Sequence, residues 1–92
     1  MNSALPKRVS IPSEVIFQEI ENDCVLLNMA SEHYFGLNDV GTRMWKMLIE
    51  DGDPQAALAQ LQSYYEVDEA TLRHDLTGFI KMLETKALLT VG

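Results

Sequence analysis

Apolar positions along this chain of 92 residues fall first at strand spacing and then at helix spacing. From Val15 to Ile20, Val15, Phe17 and Glu19 alternate with Ile16, Gln18 and Ile20, which predicts a strand with two distinct faces. Glu21-Asn22-Asp23 is a polar turn leading into a second strand, Cys24 to Asn28, so the two form a hairpin. Met29-Ala30-Ser31-Glu32 breaks the apolar run and reverses the chain. His33-Tyr34-Phe35-Gly36-Leu37 then sets His33, Phe35 and Leu37 on one face and Tyr34 and Gly36 on the other, the pattern of a half-buried third strand. Three short strands with tight links predict an antiparallel meander with at least one edge to expose or cover.

Beyond Leu37 the period changes. Asn38 is a suitable N-cap for a helix from Asp39 to about Glu50, in which Val40, Met44, Met47 and Leu48 share a side next to Trp45. Gly52 is a natural stop, and Asp53-Pro54 a strong start, with the proline at the first helical position. The second helix turns Ala57, Leu58, Leu61, Tyr64 and Tyr65 inward and ends near Glu66. Asp68 caps a third helix whose stripe is Leu72, Leu76, Phe79, Ile80 and Leu83, with Lys86 at its negative end. Leu88 to Val91 is a short apolar tail expected to pack back onto the sheet. Phe17, Leu26, Phe35, Trp45, Leu61, Leu72, Phe79 and Leu83 are expected in one core.

Strands followed by helices indicate an α+β fold, a three-stranded antiparallel sheet followed by three helices in a winged helix-turn-helix-like arrangement. The length suits one domain, here 14–92, behind a flexible N-terminal arm over 1–13 that carries two prolines and the Lys7-Arg8 pair. Hydrophobic residues make up 47% of the chain, enough to fold without disulfides or metal. The N-terminus lacks the apolar stretch of a signal peptide and no segment is apolar for long enough to span a membrane, so a cytoplasmic, soluble protein is expected.

Charge narrows the function. Fourteen acidic and seven basic residues give a net charge of −7, which argues against phosphate contact and hence against nucleic acid. The third helix, as a candidate recognition helix, sets Glu69, Asp75 and Glu84 against Arg73, Lys81 and Lys86. That balance is poor for DNA, although a winged-helix DNA-binding or regulatory protein is the alternative reading. Cys24 is alone inside an apolar strand, an inert buried thiol suited to a reducing compartment. Cys24, His33 and His74 match no metal spacing. No nucleophile stands with a base and an orienting partner, and no glycine-rich phosphate loop is present, so neither catalysis nor a cofactor is expected.

Several segments taken together resemble the PqqD-like proteins, or RiPP recognition elements, where RiPP denotes a ribosomally made, post-translationally modified peptide. These are Val25-Leu26-Leu27, Tyr34-Phe35-Gly36-Leu37-Asn38, Gly41 and Trp45, followed by Leu58, Leu61, Tyr65, Val67-Asp68, Asp75-Leu76, Phe79-Ile80, Leu83 and Leu88-Leu89. The resemblance extends over residues 15–91. Ala87 departs from it, because such proteins often carry glycine there. The resemblance implies a non-catalytic, stand-alone peptide chaperone that binds the leader segment of a precursor peptide and presents it to a modifying enzyme, whether radical enzyme, cyclase or protease. It further implies that the leader adds as a strand to the third strand and lies against the third helix, which is β-augmentation. The site is therefore expected at Ser31, Glu32, His33, Tyr34 and Phe35, facing Arg73, Leu76, Thr77 and Ile80. The opposite helix flank, Asp75 and Met82, is the alternative wall. A monomer and a homodimer are both compatible with an exposed strand edge.

Overall fold

A computed structural model describes residues 5–92. The chain runs β1 (Val9–Ser10), β2 (Val15–Ile20), β3 (Asp23–Asn28), β4 (His33–Leu37), α1 (Asp39–Asp51), α2 (Pro54–Tyr64), α3 (Glu69–Thr85) and β5 (Thr90–Val91). β2, β3 and β4 form an antiparallel sheet in that order, with Phe17 opposite Leu26 and Leu26 opposite Phe35. The α+β meander followed by three helices is the architecture that the hydrophobic pattern predicts.

Each helix begins where a side chain satisfies its free amides. Asn38 accepts from the Gly41 N–H at 2.9 Å, Asp53 from Gln55 at 3.0 Å, and Asp68 from Thr71 at 3.1 Å. Gly52 ends α1 in the left-handed region, φ 71°, and its N–H reaches the Leu48 carbonyl at 3.1 Å. α3 ends in a Schellman motif: the Leu88 N–H donates to Leu83 O and the Ala87 N–H to Glu84 O. α2 stops at Tyr64, two residues short of the expected Glu66. Tyr65 there is already extended.

The core lies between one face of the sheet and the helices. Leu26, Trp45, Leu48, Leu61, Leu76, Leu83 and Leu89 are all fully buried within it. Leu72 is buried as expected, and Phe35 and Phe79 pack against the cluster while partly exposed. Phe17 is a correction, since it is 40% exposed and meets Trp45 edge-on at 5.6 Å. α1 packs across β3 and β4, so β2, on the margin of the sheet, has only Val15 covered.

The two short strands went unseen in the pattern. Val9 is buried and pairs with Val91, and Ser10 pairs with Thr90. The tail thus joins a ladder of its own with Val9–Ser10 and not the three-stranded sheet, although Leu88 and Leu89 are buried. Val9 N–H also donates to Gly52 O at 3.0 Å, and Arg8 to Asp51 O at 2.9 Å. The strand falls inside the stretch read as an arm, of which residues 1–4 lie outside the described residues.

Candidate functional site

β4 is the outermost strand on one side of its sheet, and among the described residues nothing pairs with its outer edge. Its backbone groups there remain available to an extended partner. The strand is held from behind by Asn28, which is 2% exposed. The Asn28 amide oxygen accepts from the Ala30 and Ser31 N–H groups at 2.9 and 3.1 Å, closing the turn before β4. The same amide donates to Ala87 O at 2.8 Å, which ties this turn to the end of α3. One buried side chain therefore fixes the strand edge relative to the helix.

At that junction Lys86 Nζ stands 5.2 Å from the centre of the Phe35 ring. With about 3.6 residues per turn, Asp75, Phe79 and Met82 share a flank of α3 with Lys86. This flank continues into a shallow cavity of about 320 Å³ lined by Gly78, Lys81, Met82, Thr85 and Lys86. Phe79 and Met82 are partly buried hydrophobics. The contact between this end of α3 and β4 is thus that of Lys86 with Phe35.

The structure distributes the expected residues unevenly. Ser31, Glu32, His33 and Tyr34 are exposed and Phe35 half-buried, all at the β3–β4 turn or on β4. Tyr34 is 76% exposed. On α3, Leu76 and Ile80 face the core at 0% and 3% exposure. Arg73 is ion-paired with Glu69 one turn back, and Thr77 donates to the Arg73 carbonyl at 2.7 Å. Arg73 and Thr77 lie across the stripe from Lys86, the α3 residue beside Phe35 of β4, and Asp75 and Met82 lie on the Lys86 side. Sequence reasoning passed over Asn28, Gly78 and Lys86 as site residues. Only Asn28 carried a signal, as an asparagine ending an apolar run just before a reversal.

Other chemistry is sparse. Burial pushes the Cys24 thiol pKa up, and the nearby Glu19 charge adds to this, so the thiolate nucleophile is disfavoured. Among the described residues no three His, Cys, Asp or Glu side chains gather as a metal site, and no helix is long and apolar enough to cross a membrane. A larger cavity, about 650 Å³, lies between the β2–β3 hairpin and α1, lined in part by Phe17, Glu19, Arg43, Lys46 and Glu50. No β4 residue lines it. Strand addition needs a free edge, for which a deep cavity is no substitute.

The family model described as Coenzyme PQQ synthesis protein D (PqqD) matches residues 23–89. The chain belongs to the PqqD family. Among solved structures, TbiB1 in complex with the TbiA(beta) leader peptide is similar at 35% identity and a TM-score of 0.84, covering 87% of this chain and 93% of that one. A lasso peptide synthetase B1 complexed with the leader peptide has a TM-score of 0.82 over 90% of this chain and 98% of its own. At 22% identity that second likeness is one of fold. No curated protein matches the chain. The PqqD match takes in β3, β4 and all three helices.

Proposed function

We propose that this chain is a non-catalytic peptide-binding chaperone for ribosomally made precursor peptides. It captures the leader segment as a fourth strand on β4 and delivers it to a peptide-modifying enzyme. The observation that carries this reading is the unpaired β4 edge, with Lys86 of α3 standing beside Phe35 of that strand. The likeness to TbiB1, solved with a leader peptide, supports it. Ser31 to Phe35 supply the edge; Phe79 and Met82 contact the leader's side chains, and Leu76 and Ile80 back that wall from the core. Arg73 and Thr77 serve the far flank of the helix. The protein works in a reducing cytoplasm without a cofactor, as a monomer or homodimer, and its enzyme is a cyclase, a protease or a radical enzyme. The winged-helix DNA-binding reading is not favoured, because α3 carries balanced charge on a chain of net charge −7.

A proline scan of β4 tests the mode of binding. Adjacent strand amides point alternately to β3 and to the free edge. Proline at edge-pointing positions, Tyr34→Pro among the set, removes a donor the leader needs and should abolish binding of a labelled cognate leader. Proline at the other positions should chiefly cost stability. His33→Ala should weaken binding less than about threefold, since the backbone supplies most of the contact. Leader-induced amide shifts confined to α1 and α2, with β4 silent, would overturn the site.

A further inference from the structure

The face of the sheet turned away from the helices is apolar as well. Strand parity places Ile16, Gln18 and Ile20 of β2, Val25 and Leu27 of β3, and Tyr34 and Gly36 of β4 on it, with Asp23 at its end opposite Ile20. Gln18 is the one polar side chain at the centre. Ile16 is 48% exposed, Ile20 56% and Tyr34 76%, whereas Val25 and Leu27, in the middle strand, are half-buried by their neighbours. A sheet with helices on one side ordinarily alternates apolar-in with polar-out. Here the outer positions depart from that pattern together, and contiguous exposed apolar surface of this kind marks an interaction site.

The charge around this face has one sign. Between Val9 and Thr42 the chain carries Glu14, Glu21, Asp23, Glu32 and Asp39, and no lysine or arginine; Glu19, on the helix-facing side, is paired with Lys46 at 3.0 Å. Glu21 and Asp23 stand at the β2–β3 turn, and Glu32 at the opposite end of the sheet. A second copy of this chain would bring the same acidic rim against it. Size also argues against a permanent dimer: three strands spaced about 4.8 Å apart and six residues long present roughly 300 Å². A stable interface takes about 800 Å² from each partner. A transient partner with an apolar patch and a basic rim fits both observations.

We propose that the outer face of the β2–β3–β4 sheet is the docking surface for the peptide-modifying enzyme, which meets it with an apolar patch rimmed by lysine and arginine. A leader added to β4 widens this surface, since every second leader side chain then stands on it beside Tyr34. For that fourth strand the surface depends on the leader-binding role proposed above. Enzyme and leader would thus be read by two adjoining parts of one sheet, one by its face and the other by its edge.

The test uses the full chain with the precursor leader and the modifying enzyme sought among its neighbouring genes. The double substitution Ile16→Glu with Ile20→Glu should weaken enzyme binding at least tenfold and leave leader affinity within twofold. Enzyme binding equal to that of the unsubstituted chain would overturn the proposal. Should circular dichroism show the double variant unfolded, Glu21→Lys with Asp23→Lys, on the exposed rim, should weaken the complex and reduce its salt dependence; no change would overturn the proposal equally. A chain that dimerises through this face, monomeric in the double variant and indifferent to the enzyme in both forms, would also overturn it. If the leader leaves β4 silent while the double substitution still abolishes enzyme binding, the docking surface stands and the leader-binding reading falls.

Discussion

Asn28 is a buried amide whose donor and acceptor are both engaged, and much of the site's geometry passes through it. Asn28→Ala leaves the Ala30 and Ser31 N–H groups and the Ala87 carbonyl without their partner. A cost of about 2–3 kcal/mol is expected, since an unsatisfied buried group costs about 1–3 kcal/mol. Urea denaturation measures it, and β4 amides should exchange faster in the variant. Ala87 makes the opposite case. It occupies the left-handed region at φ 59°, at the glycine position of the Schellman motif. Strain of about 1 kcal/mol is relieved in Ala87→Gly, partly offset by the freer unfolded chain. A net gain of up to about 1 kcal/mol is expected in the same urea experiment, with leader binding unchanged. The departure noted at this residue in the sequence is thus a local strain within a preserved turn.

At the scale of elements, the three helix starts and the three main strands were legible because each carries a local signal: a capping side chain, a glycine, or a change of period. α3 adds a pH dependence to its cap. Hydrogen bonds from the Thr71 hydroxyl and N–H lower the Asp68 pKa below the usual carboxylate value. A carboxyl with a folded pKa below its unfolded one contributes stability above the unfolded value, near about 3.9, and loses it as pH falls through the folded value. Asp68→Asn keeps an acceptor and removes the titration, so its stability should fall less steeply between neutral and acid pH. Urea midpoints compared from pH 7 to pH 3 check this. Other features had no local signal. β1 and β5 are two residues each and exist only by pairing across the whole chain. The stripe on α3 located its core side through Leu72, Leu76 and Leu83. Which flank meets β4 depends on how the helix crosses the sheet, and a helical period does not encode that. Phe17 was misplaced for a related reason: alternation gives its face, but the extent of the helical cover decides its burial.

For the molecule as a whole, the first and last strands meet at the C-terminal end of α1. Val9 pairs with Val91, Gly92 N–H donates to Arg8 O at 3.0 Å, and Val9 N–H donates to Gly52 O at 3.0 Å. Gly52 is the point through which this clip reaches the helices. A Cβ there would lie 2.8 Å from the Val9 carbonyl oxygen, in a backbone conformation with φ 71° that side chains rarely adopt. The left-handed conformation alone costs an alanine about 1–2 kcal/mol. The carbonyl it would strike is backbone within a short ladder, so relief requires β1 to move. Gly52→Ala should therefore cost roughly 2–3 kcal/mol in total, read by thermal or urea denaturation. The damage should be regional: amide exchange at Val9 and Val91 should rise well before that at Leu26 or Leu37. β4 and the Phe79–Met82–Lys86 flank are held by contacts that do not pass through Gly52, so leader affinity at a temperature where the variant is folded should stay within twofold. A loss of leader binding equal to the loss of stability would instead mean that the clip and the cleft open as one unit.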